Sequence, residues 1–186
     1  MPRHPNTVWA FLFVSQESEQ AIQKFFVREV GIHPRFLKSQ LHLSIYHARR
    51  FLSGLTEYEE SIEIDISPAD LRFMAMAPGG ENPRPEIEPG RCPIGVRLKR
   101  GSAVTASVRS LRSRFYPLET GSVLGIRSPS SHSRSAFGAR YFQPHITLIH
   151  AGSGINRDLT KIGNGFRLAM DKIRLDRFVV KCRSAF

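Results

Sequence analysis

The chain has 186 residues, 41% of them hydrophobic, and a formal net charge of +11 at pH 7. That is the size of one domain with a core of its own, and no apolar run approaches the roughly 20 residues that span a bilayer, which argues against a membrane protein. Cys92 and Cys182 show neither Cys-x-x-Cys nor metal-type spacing, so they are expected as two free thiols in a reducing cytoplasm and not as a disulfide framework. The charge is uneven. Residues 1–90 carry 9 Lys/Arg against 12 Asp/Glu, whereas residues 91–186 carry 18 against 4. So basic a second half implies an anionic partner, a nucleotide or oligonucleotide, with RNA among the candidates.

The run Val8–Val14 is apolar on both faces and predicts a central strand. It lacks a small-residue cleavage site, which argues against a signal peptide. Ser15 is placed to cap a helix, with Glu17 and Glu19 in its first turn at the positive end of the dipole. Ile22, Phe25, Phe26 and Val30 form its apolar stripe, and Gly31 is placed to end it. His33-Pro34 breaks any continuation, and an alternating strand follows from about Leu41. Two further strands are expected near 61–66 and 71–77. Between 77 and 93, Pro78, Pro83, Pro85, Pro89 and Pro93 crowd together with Gly79, Gly80 and Gly90, which reads as a linker.

Beyond the linker the order repeats. Ile94–Leu98 predicts a strand, closed by the charge cluster Arg97, Lys99 and Arg100, which faces either a cleft or water. Ser102 is placed to cap a helix with Val104, Val108, Leu111 and Phe115 on one face. Residues 117–140, rich in Ser, Gly and Arg, read as a mobile insertion. A second alternating strand follows near His145, then a pair of strands near Phe166–Met170 and Ile173–Lys181 to mirror the pair in the first half.

The two alternating strands carry one motif twice: Gln40-Leu41-His42-Leu43-Ser44-Ile45-Tyr46-His47-Ala48 and Gln143-Pro144-His145-Ile146-Thr147-Leu148-Ile149-His150-Ala151. With seven His and 25 Ser plus Thr in the chain, about one His-x-Ser/Thr match arises by chance, so the tripeptide alone is weak. The shared context carries the weight: Gln two places before, apolar residues on either side of the hydroxyl, His-Ala at the close. A duplicated half explains it. The expected fold is therefore α+β and bilobal, a single domain of two pseudo-symmetric lobes. Each lobe would have an antiparallel sheet and a packed helix, the two facing across a central cleft.

In a regular strand, residues two apart share a face, so His42 lies with Ser44 and His145 with Thr147. Histidine populates both protonation states near neutral pH, and hydroxyls can donate to the oxygens of a phosphate, so two such pairs suit acid–base work on a phosphodiester with no metal and no cofactor. Singly, each His is more often a hydrogen-bonded core residue; the matched pair points to catalysis. Ser44 and Thr147 have the competing role of satisfying their neighbours. Tyr46, on the face of His42 in a regular strand, is a further substrate-contacting candidate, with packing as its rival role. Trp9, Phe11 and Phe13 share one face of the first strand, where core packing is favoured over base stacking. His47 and His150 sit five along from the motif histidines, which in a regular strand puts them on the opposite face and argues against zinc sites.

The paired His42-Leu43-Ser44 and His145-Ile146-Thr147 within an internal repeat resemble the two-histidine (2H) phosphoesterase superfamily, which includes the bacterial 2′-5′ RNA ligase-like proteins and the eukaryotic cyclic nucleotide phosphodiesterases. The resemblance covers nearly the whole chain in order of elements, and the two motifs at residue level. It implies a bilobal α+β fold and metal-independent phosphodiester chemistry, with catalysis by His42 and His145 and phosphate held by Ser44 and Thr147. The alternative function is an RNA- or nucleotide-binding module without turnover. A metallohydrolase is disfavoured, because no Asp-x-Asp or His-x-x-x-His pattern accompanies the histidines.

Overall fold

The computed structural model describes residues 7–48, 52, 54–76, 92–120, 142–153 and 159–183. The elements in chain order are β1 (Thr7–Val14), α1 (Gln16–Phe25), β2 (His42–Ala48), β3 (Tyr58–Ile66), β4 (Leu71–Ala75), β5 (Ile94–Leu98), α2 (Ala103–Ser113), α3 (Tyr116–Thr120), β6 (His145–Ile149), α4 (Leu159–Ala169) and β7 (Ile173–Arg183). The fold is α+β. Among the described residues the seven strands form one sheet in the order β3-β7-β1-β2-β6-β5-β4, every neighbour antiparallel. Two separate sheets were expected, one to each half. Direct pairing of β2 with β6, Leu43 opposite Ile146, joins the strands of both halves into one. The expected linker at 77–93 and insertion at 117–140 lie outside the described residues, except for 92–93 and for 117–120, which belong to α3.

Local signals place the helices. Ser15 Oγ accepts from the Ser18 amide at 3.3 Å and caps α1, whose last turn runs on through Phe26–Val30 with π-type bonding and is closed by Gly31 at φ 76°. Ser102 Oγ accepts from the Thr105 amide at 3.2 Å and caps α2. The segment expected as a strand at Phe166–Met170 is instead the end of α4. Ile162 and Phe166 are buried one helical turn apart, while Leu168, which would share the face of Phe166 in a strand, is 91% exposed. The second half therefore runs strand, helix, motif strand, helix, strand.

The register explains where the core sits. One row of opposed residues crosses all seven strands: Glu60, Phe178, Leu12, Leu43, Ile146, Val96 and Phe73. The five central members are buried, and opposed residues share a face of the sheet. On this face Phe73 meets Phe26 and Phe166, and Phe178 meets Phe115, so the helices pack here. The rows on either side point to the other face.

A β-bulge in β2 breaks the alternation. Ser44 opposes Phe11 and Tyr46 opposes Ala10, which leaves Ile45 as the extra residue. Beyond it the faces exchange. Tyr46, 1% exposed, turns into the core and stacks on Phe115 at 4.5 Å, while His47 returns to the face of His42 and stacks on Trp9 at 3.7 Å. Arg112 of α2, itself 1% exposed, donates from Nη1 to the Ile45 carbonyl at 2.6 Å, with its guanidinium 4.4 Å from the Phe142 ring. That bond satisfies a carbonyl buried at an irregular point of the ladder.

Arg112→Leu should lower stability by about 2–3 kcal/mol, since a buried acceptor loses a charged donor. The exposed Arg109→Leu should change it by less than about 0.5 kcal/mol. Urea denaturation of both variants measures the difference; equal midpoints would show that the bulge does not depend on this bond.

Candidate active site

The face of the sheet away from the helices carries the motif residues. Extending the Leu43–Ile146 pair by one residue each way sets His42 opposite Thr147 and Ser44 opposite His145. The neighbouring ladders continue both rows. One runs Arg177, Phe13, His42, Thr147, Gly95, and the other Val179, Phe11, Ser44, His145, Arg97, Arg72. The two histidines thus stand at diagonal corners of a block of four, with the two hydroxyls at the remaining corners. Cβ atoms so placed are about 4.5–5.5 Å apart when directly opposite and about 7–8 Å on the diagonal.

Both imidazoles are oriented in the same way. His42 Nδ1 lies 2.9 Å from the Gln40 carbonyl, and His145 Nδ1 lies 3.0 Å from the Gln143 carbonyl. A carbonyl only accepts, so Nδ1 carries the proton in each and Nε2 is left to face outward. Neither Nε2 has a partner among the described residues, and the same holds for the hydroxyls of Ser44 and Thr147. The strand starts match as well. Val14 N donates to the Leu41 carbonyl at 2.8 Å, and Leu98 N donates to the Pro144 carbonyl at 2.9 Å.

What holds the turn before each histidine differs. Gln40 adopts φ 52°, the sole positive value of a non-glycine among the described residues. Such a backbone is strained and needs restraint. Glu19 of α1 supplies it: Oε1 accepts from the Gln40 amide at 3.0 Å and Oε2 from the Leu41 amide at 2.9 Å. Gln23 donates to both Glu19 Oε1 and the Lys38 carbonyl, which ties the carboxylate to the incoming loop. The second motif has Pro144 where the first has Leu41, so it presents no amide there and its φ is fixed by the ring.

The surroundings also differ. Phe11 and Phe13 flank His42, with ring centroids at 4.7 and 5.6 Å. His145 is held below the ordinary histidine value, first by burial and then by the charges of Arg97 and His42, against the opposing pull of the Gln143 carbonyl. Gly95, opposite Thr147, permits a close approach of β5 and β6: a Cβ there would lie 2.5 Å from the Ile146 carbonyl oxygen.

Of the residues expected at the site, His42, Ser44, His145 and Thr147 are brought together on one face. Tyr46 is not among them. The bulge turns its ring into the core, where it cannot contact a ligand lying over His42. The bulge likewise puts His47 on the face that strict alternation denies it, so parity gives no argument about His47 as a ligand. Among the described residues no group of three or more His, Cys, Asp or Glu is arranged to hold a metal ion. Trp9, Phe11 and Phe13, expected in the core, are half-buried on the open face. Sequence reasoning missed Glu19 as a clamp, although its place four residues before Gln23 on the first turn of α1 was visible. No helix of the described residues is long and apolar enough to cross a membrane. Compared with models of protein families and with curated proteins, the chain matches none.

Glu19→Ala should cost about 1–3 kcal/mol, because two amides lose their acceptor. It should also mix the His42 tautomers, seen as movement of the imidazole ¹⁵N shifts. Adding Gln40→Gly should recover about 1 kcal/mol, since glycine adopts φ 52° without strain. Unchanged tautomers in Glu19→Ala would show that the turn holds itself.

The His145 titration midpoint should lie below 6.5, and Arg97→Gln should move it upward by removing one of the charges that lowers it. The linkage has a definite sign. A histidine whose folded value is depressed contributes stability above its unfolded value, and that contribution is lost as pH falls from 6.5 through the lowered one. NMR titration checks the midpoint, and urea midpoints across the same pH range check the linkage.

Proposed function

We propose that the chain is a two-histidine phosphodiesterase, which hydrolyses a nucleotide phosphodiester without a metal ion: a 2′,3′-cyclic phosphate, or a short 2′-5′, 3′-5′ or cyclic oligonucleotide. One observation carries the reading: two outward-facing Nε2 atoms and two hydroxyls, none with a partner among the described residues, stand at the corners of one block on the open face of the sheet. Four such polar groups converging on one open face favour a polar ligand.

Water attacks phosphorus while one imidazole Nε2 removes its proton; the bond from phosphorus to the leaving ribose oxygen breaks as the other imidazole donates a proton to that oxygen. The product is a phosphomonoester, and the two histidines exchange protons with solvent to reset. His145, held below the ordinary histidine value first by burial, suits the base, and His42 the acid. Ser44 and Thr147 donate to the non-bridging oxygens, where charge accumulates in the transition state.

The strand order also supports two pseudo-symmetric lobes within one domain spanning 1–186. β2 and β1 lie on one side of the Leu43–Ile146 junction, β6 and β5 on the other. The last strand of each half crosses over: β7 sits beside β1, and β4 beside β5. In this arrangement His42 corresponds to His145 and Ser44 to Thr147, and the cleft is the groove above the junction. A second reading, an RNA- or nucleotide-binding module without turnover, is favoured by the half-buried aromatic row Trp9, Phe11 and Phe13 beside Arg177.

Assay of cyclic mononucleotides, linear oligonucleotides and cyclic dinucleotides in EDTA separates the two. Turnover should be found, with a bell-shaped dependence on pH. His42→Ala and His145→Ala should each lower kcat by about 10²–10⁴-fold, and Ser44→Ala or Thr147→Ala by about 10²-fold. Full activity in the His42→Ala, His145→Ala double variant would sink the enzymatic reading. Salt-dependent binding with no turnover of any ester would establish the binding module instead.

A further inference from the structure

Arg97 and Arg72 stand directly opposite one another on β5 and β4, in the row that contains His145 and Ser44. Arg97 is half-buried, and its Nε is fully buried without a hydrogen-bond partner. Among the described residues neither guanidinium has an ion pair or a side-chain hydrogen bond. Burial and the charges of Arg72 and Arg100 weaken the hold of Arg97 on its proton. An arginine stays charged regardless, so two like charges stand together, one of them partly desolvated, with no carboxylate paired to either among the described residues. A bound anion would offset the repulsion between them. Neighbouring strands lie about 4.8 Å apart, so Arg97 is about 5 Å and Arg72 about 10 Å from the strand of His145. Both thus lie on the side of His145 away from His42, where a second phosphate of the substrate would extend.

We propose that Arg97 and Arg72 form a second anion subsite, which binds a phosphate of the substrate other than the one that reacts. The substrate class is then a nucleotide with at least two phosphate groups, such as a short oligonucleotide ending in a cyclic phosphate, and not a cyclic mononucleotide. This rests on the phosphodiesterase reading of the His42–His145 pair and adds the part of the substrate that sets affinity. Arginine suits the role, because its planar fork pairs with two phosphate oxygens at once.

The test compares adenosine 2′,3′-cyclic phosphate with a diadenylate that ends in the same cyclic phosphate, at a pH on the plateau of each profile. In Arg72→Gln, Arg97→Gln, kcat/KM on the diadenylate should fall about 10- to 100-fold more than on the mononucleotide, mainly through KM. Equal loss on both substrates would overturn the subsite and place the guanidiniums on the reacting phosphate. Equal activity of the variant and the parent chain on both would overturn it too. A binding measurement keeps the two proposals apart. With diadenylate 3′-phosphate and the His42→Ala, His145→Ala background, removing the arginines should make the slope of log K against log salt shallower, by about 0.7 for each phosphate they neutralise. An unchanged slope refutes the subsite whether or not the chain is an enzyme. Absence of turnover with a changed slope refutes the phosphodiesterase reading alone.

Discussion

The arrangement depends on one backbone pairing, Leu43 against Ile146, both buried. A strand has a period of two, so this contact fixes more than two leucine-sized side chains in the core. It decides that every residue one place away looks the other way. Slippage of β2 by one residue would turn His42 and Ser44 toward the helices and expose Leu43. The register is held from both sides. On β2 the bulge at Ile45 is fastened by Arg112, and on β5 the absence of a side chain at Gly95 lets the strand come close to the Ile146 carbonyl. The motif strands share only this pair in the described ladder, whereas β1 and β2 pair along their whole length. Rigidity at the site therefore comes from the outer strands, and the junction between the halves is short.

The two histidines reach equivalent orientations through unlike restraints. The turn before His145 has its φ set covalently, at Pro144. The turn before His42 is bent into a left-handed conformation at Gln40 and depends on a carboxylate from α1 to stay there. A covalent restraint survives local fraying; a hydrogen-bonded one does not. The His42 side is thus the more conditional of the two. Flanking aromatic rings at Phe11 and Phe13 limit where its imidazole can go once the backbone is set.

What was legible in the sequence follows the same division. The helix starts at Ser15 and Ser102, the stop at Gly31, and the shared face of His42 with Ser44 and of His145 with Thr147 all arise from local chemistry, and all were visible. The bulge was not. Nothing in Ser44-Ile45-Tyr46 marks an extra residue, since Ile and Tyr are both good strand formers; only the contacts of Arg112 and Phe115, the former 67 positions from Ile45, select it. That one irregularity accounts for the misplacement of both Tyr46 and His47. The α4 segment misled for a different reason. Two glycines, Gly163 and Gly165, lower its helix propensity, yet both pack against aromatic rings, Phe73 and Phe25. Tertiary packing outweighed propensity there.

The basic second half takes on a different meaning once its charges are placed. Along the β3–β7 edge Lys172 and Arg174 pair with Asp65, Arg174 also with Glu63, and Arg177 with Glu59. These pairs are exposed and contribute little to stability, but they neutralise that edge. At the opposite edge Arg72 and Arg97 have no such partners among the described residues. Glu59, Glu63 and Asp65 of β3 are therefore engaged, whereas Arg72 and Arg97, in the row of His145, have no ion pair among the described residues. Under the proposed subsite, this distribution is what would steer an anion across the face toward β5 and β4. Net charge alone could not have indicated this, because it depends on which strands the topology makes neighbours.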